Sequence, residues 1–547
     1  MPFPDMFVKP AIAPPNSAEC VADVRRWMST CESSHGCLQK TPHPLPKRVI
    51  DVGSLTSPVV RMIETSGELE RYACLSHCWG NSRPACITTV ETLERNKRCI
   101  GWDLLPATFR DAIDFTRRLG LRFIWIDSIC IIQNSPEDWQ EQSALMASIY
   151  GGAYVTICAT SASSDDGGCY LPSAPDPYRR GLTVQGFNSK EYTVWVETHL
   201  KERHIPYWSE ANFEPNPQKF PLMTRGWTFQ ERLLSARLIH FTAGEVMWEC
   251  CEQSSCQCPT NDMAQKVNAI DDDSLFLNSL WIKKRHVQAT TNDPHPSNSE
   301  DNWRYIATLY SALRLTFSKD KLPGLSGTAT QMQSLRPDDR YLGGIWRSNA
   351  LVDMQWVRET TSPHSRTKRP DKWRCPSWSW AAIDGNISYP FLTVRLDLFC
   401  TIVDASVTLA GSDSTGELTS GHIILTGPLV VATLTKMSES GEGAIESNKI
   451  ETKFIVDCED DFQEGTPGKL WIGDNLACLR LAGEIDPPYD LRSFPGDFSL
   501  VLRFRIEGVD GGPPTYERVG SIQAHPAEKL DEYWYNKDLQ PTTIRLL

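Results

Sequence analysis

Three short apolar segments, separated by two stretches of helical periodicity, constrain the fold of this chain more than any other feature of its sequence. The apolar segments are residues 72–76, 121–126 and 154–159. Apolar residues recur at helical spacing over residues 105–116, and Gly120 follows where a glycine commonly ends a helix. Residues 135–150 open with Ser-Pro, a typical helix start, and are followed by Gly-Gly. The order strand, helix, strand, helix, strand predicts a parallel sheet with right-handed crossovers, and therefore an α/β domain.

Polar residues follow each of the three predicted strands. Ligands of open parallel sheets bind at the carboxyl ends of the strands, so these residues are candidates for a site. They are Ser76, His77, Cys78, Trp79 and Gly80 after the first strand, Asp127 and Ser128 after the second, and Ser161 to Asp166, including Asp165, after the third. Arg225 opens a further predicted helix, which leads into a strand over residues 238–241. We predict that Ser76, Trp79, Gly80, Ser128, Ser161, Asp165 and Arg225 bind a ligand at this edge of the sheet.

Two carboxylates are candidate catalytic groups. Asp127 could hydrogen-bond a ribose hydroxyl or stabilise an oxocarbenium-like centre, or it could cap the turn that follows the strand. Glu231 could act as an acid, a base or an anion partner, or it could form an ion pair with Arg225 or Arg237. For both residues the catalytic and the structural interpretation stay open.

His77 and Cys78 suggest a nucleophile and its base. A cationic histidine lowers the pKa of a neighbouring thiol, and the thiolate is a strong nucleophile. Adjacent residues of a strand point to opposite faces, so the two side chains meet only if the chain turns there. The alternative is that Cys78 is a small buried apolar residue.

Two groups of cysteines have the ligand types of a zinc site. The first contains Cys31, His35 and Cys37, with Cys20 as a possible fourth member, but its spacing is not that of a standard zinc finger. The second consists of Cys250, Cys251, Cys256 and Cys258. Either group would hold a structural zinc ion, or else it consists of packed or exposed free thiols.

Charge and the apolar runs exclude two classes of partner. The chain carries 55 Lys and Arg against 68 Asp and Glu, a formal net charge of −13, which argues against nucleic acid and anionic membranes. The most apolar stretch, residues 121–133, contains Arg122 and Asp127, so no membrane span is predicted. The first residues lack the pattern of a secretory signal. We expect a cytoplasmic protein whose 18 cysteines are reduced thiols or metal ligands.

Changes of pattern along the chain predict four regions. They are a lead-in over residues 1–70, the α/β domain over 71–245, a helical and Trp-rich extension over 246–390, and an all-β domain over 391–547. The lead-in is predicted to contain strands over residues 48–52 and 59–63. In the Trp-rich extension, alternating Trp378 and Trp380 are predicted to place both rings on one buried face of a strand.

Four segments of the chain together resemble the fungal heterokaryon incompatibility (HET) domain proteins. The segments are YACLSHCWG (72–80), LRFIWIDSICIIQ (121–133) with the following residues 138–160, RGWTFQERLLSARLIHF (225–241) and CPSWSWAAIDG (375–385). The first three extend over more than 160 residues and lie in the family's order, which makes the resemblance specific.

The resemblance implies a role in non-self recognition between fused fungal cells, where these domains are effectors of programmed cell death. It also implies a protein partner or self-association, and a TIR-like, flavodoxin-like parallel sheet. Some TIR domains hydrolyse NAD with a glutamate on the helix after the third strand, whereas here Asp165, Asp166 and Gly167 follow that strand. An NAD- or nucleotide-cleaving hydrolase with NAD as substrate is one alternative function, and a small-molecule biosynthetic enzyme that reuses the fold is another.

Overall fold

The chain divides into two compact units, Met1–Gln288 and Ala289–Leu547. The computed structural model describes residues 12–37, 42–80, 86–171, 179–185, 191–197, 218–257, 282–287, 296–360, 367–390, 396–438, 440–463, 469–484, 497–508, 512–524, 530, 534–536 and 538–547. Among the helices of these residues, none has the length and apolar character needed to cross a membrane. The division into four regions stays a prediction.

Strands and helices alternate along the first unit. Its strands are β1 His43–Pro44, β2 Arg48–Gly53, β3 Pro58–Glu64, β4 Leu69–Glu70, β5 Tyr72–Ser76, β6 Phe123–Trp125, β7 Val155–Cys158, β8 Arg179–Gln185, β9 Glu191–Glu197, β10 Arg237–Phe241, β11 Val246–Cys250 and β12 Ser254–Cys256. Its helices are α1 Ala18–Ser34, α2 Leu93–Arg98, α3 Ala107–Leu119, α4 Asp127–Cys130, α5 Pro136–Gly152, α6 Gly226–Leu234 and α7, residues 282–287. Short 3-10 helices occur at Trp102–Leu104 and Pro221–Thr224.

An eight-stranded sheet of order β12-β11-β10-β7-β5-β6-β2-β3 is the framework of the first unit. Strands β10, β7, β5 and β6 pair in parallel, whereas β11 and β12 at one edge and β2 and β3 at the other are antiparallel. Ser76 at the end of β5 and His240 on β10 both lie opposite Cys158, the last residue of β7. The carboxyl ends of these three strands therefore lie at the same edge, and the predicted α/β architecture with parallel strands is confirmed.

The predicted helices form, with small differences at their ends. Ser135 caps α5, since its hydroxyl accepts a hydrogen bond from the backbone N–H of Asp138 at 3.2 Å. The helix continues through Gly152, two residues past the predicted end at Tyr150. The second parallel strand is shorter than predicted because Asp127 begins the helical turn α4 and its carboxylate accepts the N–H of Ser128 at 2.6 Å.

A substitution at Gly120 tests the cost of backbone strain, because an added side chain changes no packing contact there. Gly120 ends α3 in the left-handed conformation, with φ of 84°, and a Cβ built there would meet no atom within 4 Å. We expect Gly120→Ala to lower the free energy of unfolding by about 1 kcal/mol, from backbone strain alone, as measured by urea unfolding. Gly120→Asn should lose less, because asparagine tolerates this conformation better. Equal losses for the two variants would contradict this explanation.

The strands predicted for the lead-in belong to the main sheet. β2 pairs with β6, and β3 pairs with β2 at the edge. The carboxylate of Asp51 on β2 is buried and accepts hydrogen bonds from Arg122, immediately before β6, at 3.0 and 3.1 Å. Residues before the α/β pattern therefore complete its sheet.

The second unit combines helices with a larger set of strands. Its helices are α8 Pro296–Ser311, α9 Pro323–Ser334 and α10 Ala350–Asp353, with 3-10 helices at Ser318–Lys321, Arg347–Asn349, Trp380–Ala382 and Glu459–Asp461. Its strands are β13 Val357–Arg358, β14 Ile387–Ser388, β15 Leu396–Leu398, β16 Thr401–Leu409, β17 Leu418–Gly427, β18 Leu429–Met437, β19 Glu442–Ser447, β20 Ile450–Val456, β21 Asn475–Glu484, β22 Asp497–Ile506, β23 Thr515–Ala524 and β24 Thr542–Leu546.

The C-terminal strands confirm the prediction of a β-rich region. Most of them form a ten-stranded sheet, in which β18, β19, β20, β23, β22 and β21 pair in sequence and β21 returns to β18. The predicted strand around Trp378 and Trp380 is wrong. The hydroxyl of Ser379 accepts the N–H of Ala381 at 3.1 Å and so favours a turn followed by a 3-10 helix. Both indoles are fully buried, as predicted.

Candidate functional site

A buried hydrogen bond joins the end of β5 to helix α6. Ser76, the last residue of β5, donates its hydroxyl hydrogen to the carboxylate of Glu231 on α6. The hydroxyl of Tyr150 on α5 lies within hydrogen-bonding reach of the same carboxylate and also of the carbonyl of Leu75, 3.1 Å away. Glu231 is only 7% exposed. One strand and two helices therefore meet at a single buried carboxyl group.

The surroundings of Glu231 raise the pKa of its carboxyl to about 7. Burial is the largest cause, because it disfavours the charged form, and the negative charge of Asp127 acts in the same direction. Hydrogen bonds from Ser76 and Tyr150 and the positive charge of Arg225 oppose the rise. A carboxyl group with a pKa near neutrality is suited to general acid–base catalysis.

Asp127 lies beside this group and reaches the surface. One carboxylate oxygen accepts the indole N–H of Trp79 at 2.9 Å, and the other accepts the N–H of Ser128 at 2.6 Å. Nδ1 of His77 lies 3.8 Å from the second oxygen, and a quarter of the Asp127 side chain is exposed. Asp127 therefore caps its own turn and also forms part of a polar cluster, which we define as Ser76, His77, Trp79, Asp127, Arg225 and Glu231.

The structure separates the predicted nucleophile from its predicted base. The ring of His77 packs edge-on against Phe109, with 4.9 Å between centroids, and faces Asp127. The thiol of Cys78 instead lies in an apolar cluster with Cys158, Leu222 and Leu238. The two side chains point apart because no turn intervenes between them, so the arrangement does not support a His77–Cys78 catalytic pair.

The protonation states of these two residues agree with their positions. Burial lowers the pKa of His77 to about 4, and the positive charge of Arg225 adds to this while Asp127 opposes it. Burial also raises the pKa of the Cys78 thiol, although Arg225 opposes the rise. At neutral pH the imidazole is neutral and the thiol protonated, the reverse of an activated cysteine.

Arg225 and Gly80 shape the rim of the polar cluster. Arg225 donates from Nη1 to the carbonyl of His77 at 3.2 Å, and its guanidinium also lies against Cys78. Gly80 is exposed and has φ of 85°, and a Cβ there would come within 2.7 Å of Ser164. Gly80 therefore lets the loop after β5 approach the loop after β7.

Two predicted ligand-binding residues lie in other contacts. The hydroxyl of Ser161 donates to the carbonyl of Lys219 at 2.7 Å and accepts the N–H of Ala243 at 3.1 Å, which ties three loops together. Asp165 is buried, and its carbonyl accepts the N–H of Thr108 at 2.9 Å at the start of α3. Both residues hold loops in place next to the sheet.

Arg237 does not take the role predicted for it. Its guanidinium donates to the sulfur of Cys31 and to the carbonyl of Tyr154, each at 3.3 Å, whereas Glu231 accepts from Ser76.

A cleft of about 460 Å³ lies away from the polar cluster. Its lining includes Arg71 and Leu121, which precede β5 and β6, so it opens near the amino ends of the strands.

The two predicted cysteine groups contribute to one cluster. Cys31, His35 and Cys37 lie together, and their neighbour from the second group is Cys250. Neither Cys20 nor Cys251 belongs to this set of ligand atoms. Cys256 is disulfide-bonded, so the expectation of a reduced thiol or metal ligand is wrong at this position, and Cys258 lies outside the described residues.

Sequence patterns missed a second buried polar network next to the sheet. Arg232 donates to both carboxylate oxygens of Glu249 at 2.9 and 3.1 Å. His240 lies between Glu249, at 3.3 Å, and Thr160, at 3.0 Å. The sequence signal for this network was the presence of polar residues, His240 and Glu249, inside otherwise apolar strands.

Tyr150 was not predicted as a site residue, because its position near the end of a helix does not indicate which group its hydroxyl contacts.

The central part of this site falls inside a known sequence family. Residues 72–231 match the family model described as "Heterokaryon incompatibility protein (HET)". Glu231 is the last residue of the match, and Ser76 lies near its start, so the whole polar cluster belongs to the matched segment. No curated protein matches the chain, and no solved structure does.

Proposed function

Because the chain is a heterokaryon incompatibility (HET) domain protein, we propose that it is an effector of fungal non-self recognition and programmed cell death. The match over residues 72–231 carries the proposal. In this proposal the protein acts in the cytoplasm, through a protein partner or through self-association. The contact between Ser76 and Glu231 supports an intact domain, since it joins the beginning and the end of the matched segment.

A second candidate function is the hydrolysis of NAD or a related nucleotide. The observation that favours it is the pairing of the buried Glu231, whose pKa is raised to about 7, with the partly exposed Asp127. The parallel strands lie in the order β6-β5-β7-β10, so the first in the chain stands between the second and the third. This order supports a TIR-like, flavodoxin-like fold, in which ligands bind at the carboxyl ends beside the first strand.

The chemistry assigns separate roles to the two carboxyl groups. The bond between ribose C1′ and nicotinamide breaks, the nicotinamide leaves, and water adds to the oxocarbenium-like centre. The carboxylate of Asp127 would stabilise the positive charge on the ribose, and ionised Glu231 would accept the proton of the attacking water. Trp79 holds Asp127 in place from the outside, since its indole donates to the carboxylate.

Expression in a fungal host tests the first candidate. The wild-type chain is expected to stop growth when its synthesis is induced, and an immunoblot confirms that it accumulates. Glu231→Gln and Asp127→Asn are compared with Glu94→Gln and Asp166→Asn, two exposed carboxylates outside the polar cluster. Normal growth at a verified high level of the wild-type protein would refute the effector role.

Nicotinamide release from NAD by the purified full chain tests the second candidate. If the chain is a hydrolase, Glu231→Gln and Asp127→Asn should each lower the rate by about 100-fold or more, and both should lose toxicity together. The Glu94→Gln and Asp166→Asn variants should keep both properties. Wild-type protein that is toxic in the host but leaves NAD intact would refute the hydrolase and leave the effector role in place.

A further inference from the structure

Three thiols and one imidazole converge between the end of α1 and the end of β11. Cys31, His35, Cys37 and Cys250 each offer one ligand atom, and these four atoms all lie within 4.8 Å of one another. Around a tetrahedral zinc ion with Zn–S bonds of about 2.3 Å, neighbouring sulfurs lie about 3.8 Å apart. The four atoms are thus close to the arrangement that Zn²⁺ requires. We propose that Cys31, His35, Cys37 and Cys250 bind one structural Zn²⁺ ion.

The ligands come from two distant parts of the first unit. Cys31 lies in the last turn of α1, His35 is the residue that ends this helix, and Cys37 follows two residues later. Cys250 is the last residue of β11, and its sulfur lies 3.3 Å from Nδ1 of His35, 215 positions away in the chain. The pairing of a helix end with a strand end explains why the sequence spacing does not match a zinc finger.

Neighbouring groups favour thiolate ligands at this position. The backbone N–H of Gln253 donates to the sulfur of Cys250 at 3.3 Å, and Arg237 donates to the sulfur of Cys31 at 3.3 Å. Hydrogen bonds of this kind orient metal ligands and stabilise the charge on sulfur. The N–H of Gly36 donates to the carboxylate of Glu252, which fixes the turn between His35 and Cys37 against the chain after β11.

The charges at the site also balance. Three thiolates and a neutral imidazole around Zn²⁺ leave one net negative charge in a buried place, because Cys31, Cys37 and Cys250 are all buried. Arg237 is buried as well and supplies one positive charge directly at Cys31. Its guanidinium therefore offsets the net charge that a zinc–thiolate centre would have at this position.

The proposed ion has a structural role, because four protein ligands close a tetrahedral site and leave no position for substrate. It would fasten α1 to the edge of the main sheet. The binding free energy of such a site contributes directly to folding, so removal of zinc should destabilise the first unit. This inference is independent of the proposed function.

Metal analysis of the full chain is the first test. Protein purified with a reductant should contain about one zinc ion per chain, and Cys31→Ser and Cys250→Ser should each reduce this content to near zero. Cys20→Ser is the matched control, because this buried cysteine lies on α1 itself but outside the ligand set. Cys251→Ser should also keep zinc if the four ligands are correct, although the Cys251 thiol hydrogen-bonds both Cys37 and the carbonyl of Ala236.

Cobalt substitution tests the same site without a variant that could fail to fold. After chelation and the addition of Co²⁺, wild-type protein should show a thiolate-to-cobalt charge-transfer band and the intense visible bands of a tetrahedral ion. Chelation should also lower the melting temperature, and zinc should restore it.

Three results would overturn the proposal. The first is reduced wild-type protein that holds no zinc and develops no thiolate–cobalt band. The second is a disulfide among Cys31, Cys37 and Cys250, found by peptide mapping after alkylation without reduction. Zinc that survives in both the Cys31→Ser and Cys250→Ser variants would also count against these ligands.

Discussion

Replacement of Arg518 by methionine is expected to lower the free energy of unfolding of the second unit by about 3–5 kcal/mol. Arg518 and Asp457 are both fully or almost fully buried, and the guanidinium donates to the two carboxylate oxygens at 2.9 and 3.1 Å. Without the guanidinium, a buried carboxylate loses its counter-ion. This loss costs more than the ion pair itself contributes, because the remaining charge stays out of water.

The same guanidinium also fixes the chain around Trp356. It donates to the carbonyl of Met354 at 2.5 Å and to the carbonyl of Trp356 at 2.6 Å, and its central carbon lies 3.5 Å from the centroid of the indole. Methionine fills part of the volume but has no N–H to donate, so both buried carbonyls lose a partner. The expected loss is therefore at the upper end of the range.

Urea unfolding followed by tryptophan fluorescence measures this effect. Arg340→Met, at an exposed position, is the control and should change the stability by less than about 0.5 kcal/mol. Burial already raises the pKa of Asp457, although Arg518 opposes the rise. The loss in Arg518→Met should therefore become smaller at low pH, as Asp457 protonates. A loss below about 1 kcal/mol, or one independent of pH, would contradict this account.

The contacts of Arg518 also show where the sequence stops being informative. They join residues 354–356, in the predicted Trp-rich extension, to Asp457 and Arg518 in the predicted all-β domain. Hydrophobic periodicity describes each segment separately, so it predicted the β-rich character of the C-terminal region correctly. It contains no information about which segment a buried side chain will reach.

The candidate site shows the same limit. The alternation of strands and helices in the sequence predicts a parallel sheet, and with it the position of Ser76, His77 and Asp127 at one edge of that sheet. The contact of Ser76 with Glu231 did not follow from the sequence. The two residues lie 155 positions apart in the chain, and no sequence pattern indicates that α6 packs at the end of β5. The proposed metal ligands illustrate it again, since the sulfur of Cys250 lies 3.3 Å from Nδ1 of His35 but Cys250 belongs to another cysteine group in the sequence.

Glu231→Gln is expected to stabilise the protein at and above pH 7, by up to about 3 kcal/mol. The pKa of Glu231 is about 7 in the folded protein against an ordinary value of 4.5. Below pH 4.5 the carboxyl is protonated in both the folded and the unfolded chain, so it contributes no pH dependence. Between pH 4.5 and 7 the unfolded chain ionises first, and stability falls as pH rises. Glutamine cannot ionise, and so it removes this loss.

His77 gives the opposite slope and serves as the internal control. Its pKa of about 4 in the folded protein lies below the ordinary value of 6.5, so stability falls as pH drops from 6.5 towards 4. In the wild type the two slopes oppose each other over much of the same range. Relative to wild type, Glu231→Gln should remove a fall in stability between pH 4.5 and 7, and His77→Gln should remove a rise in stability between pH 4 and 6.5.

Thermal unfolding of the wild type and the two single variants at pH 5, 6, 7 and 8 separates these contributions. A Glu231→Gln variant that is less stable than wild type at pH 8 would mean that the hydrogen bond from Ser76 outweighs the burial of charge. The variant could instead be more stable than wild type and yet have lost toxicity and any nicotinamide release. That result would mean that the Glu231 carboxyl lowers stability but is needed for activity. A carboxyl with only a structural role gives no reason for activity to fall while stability rises, so the two measurements together decide whether Glu231 acts in the function of the domain.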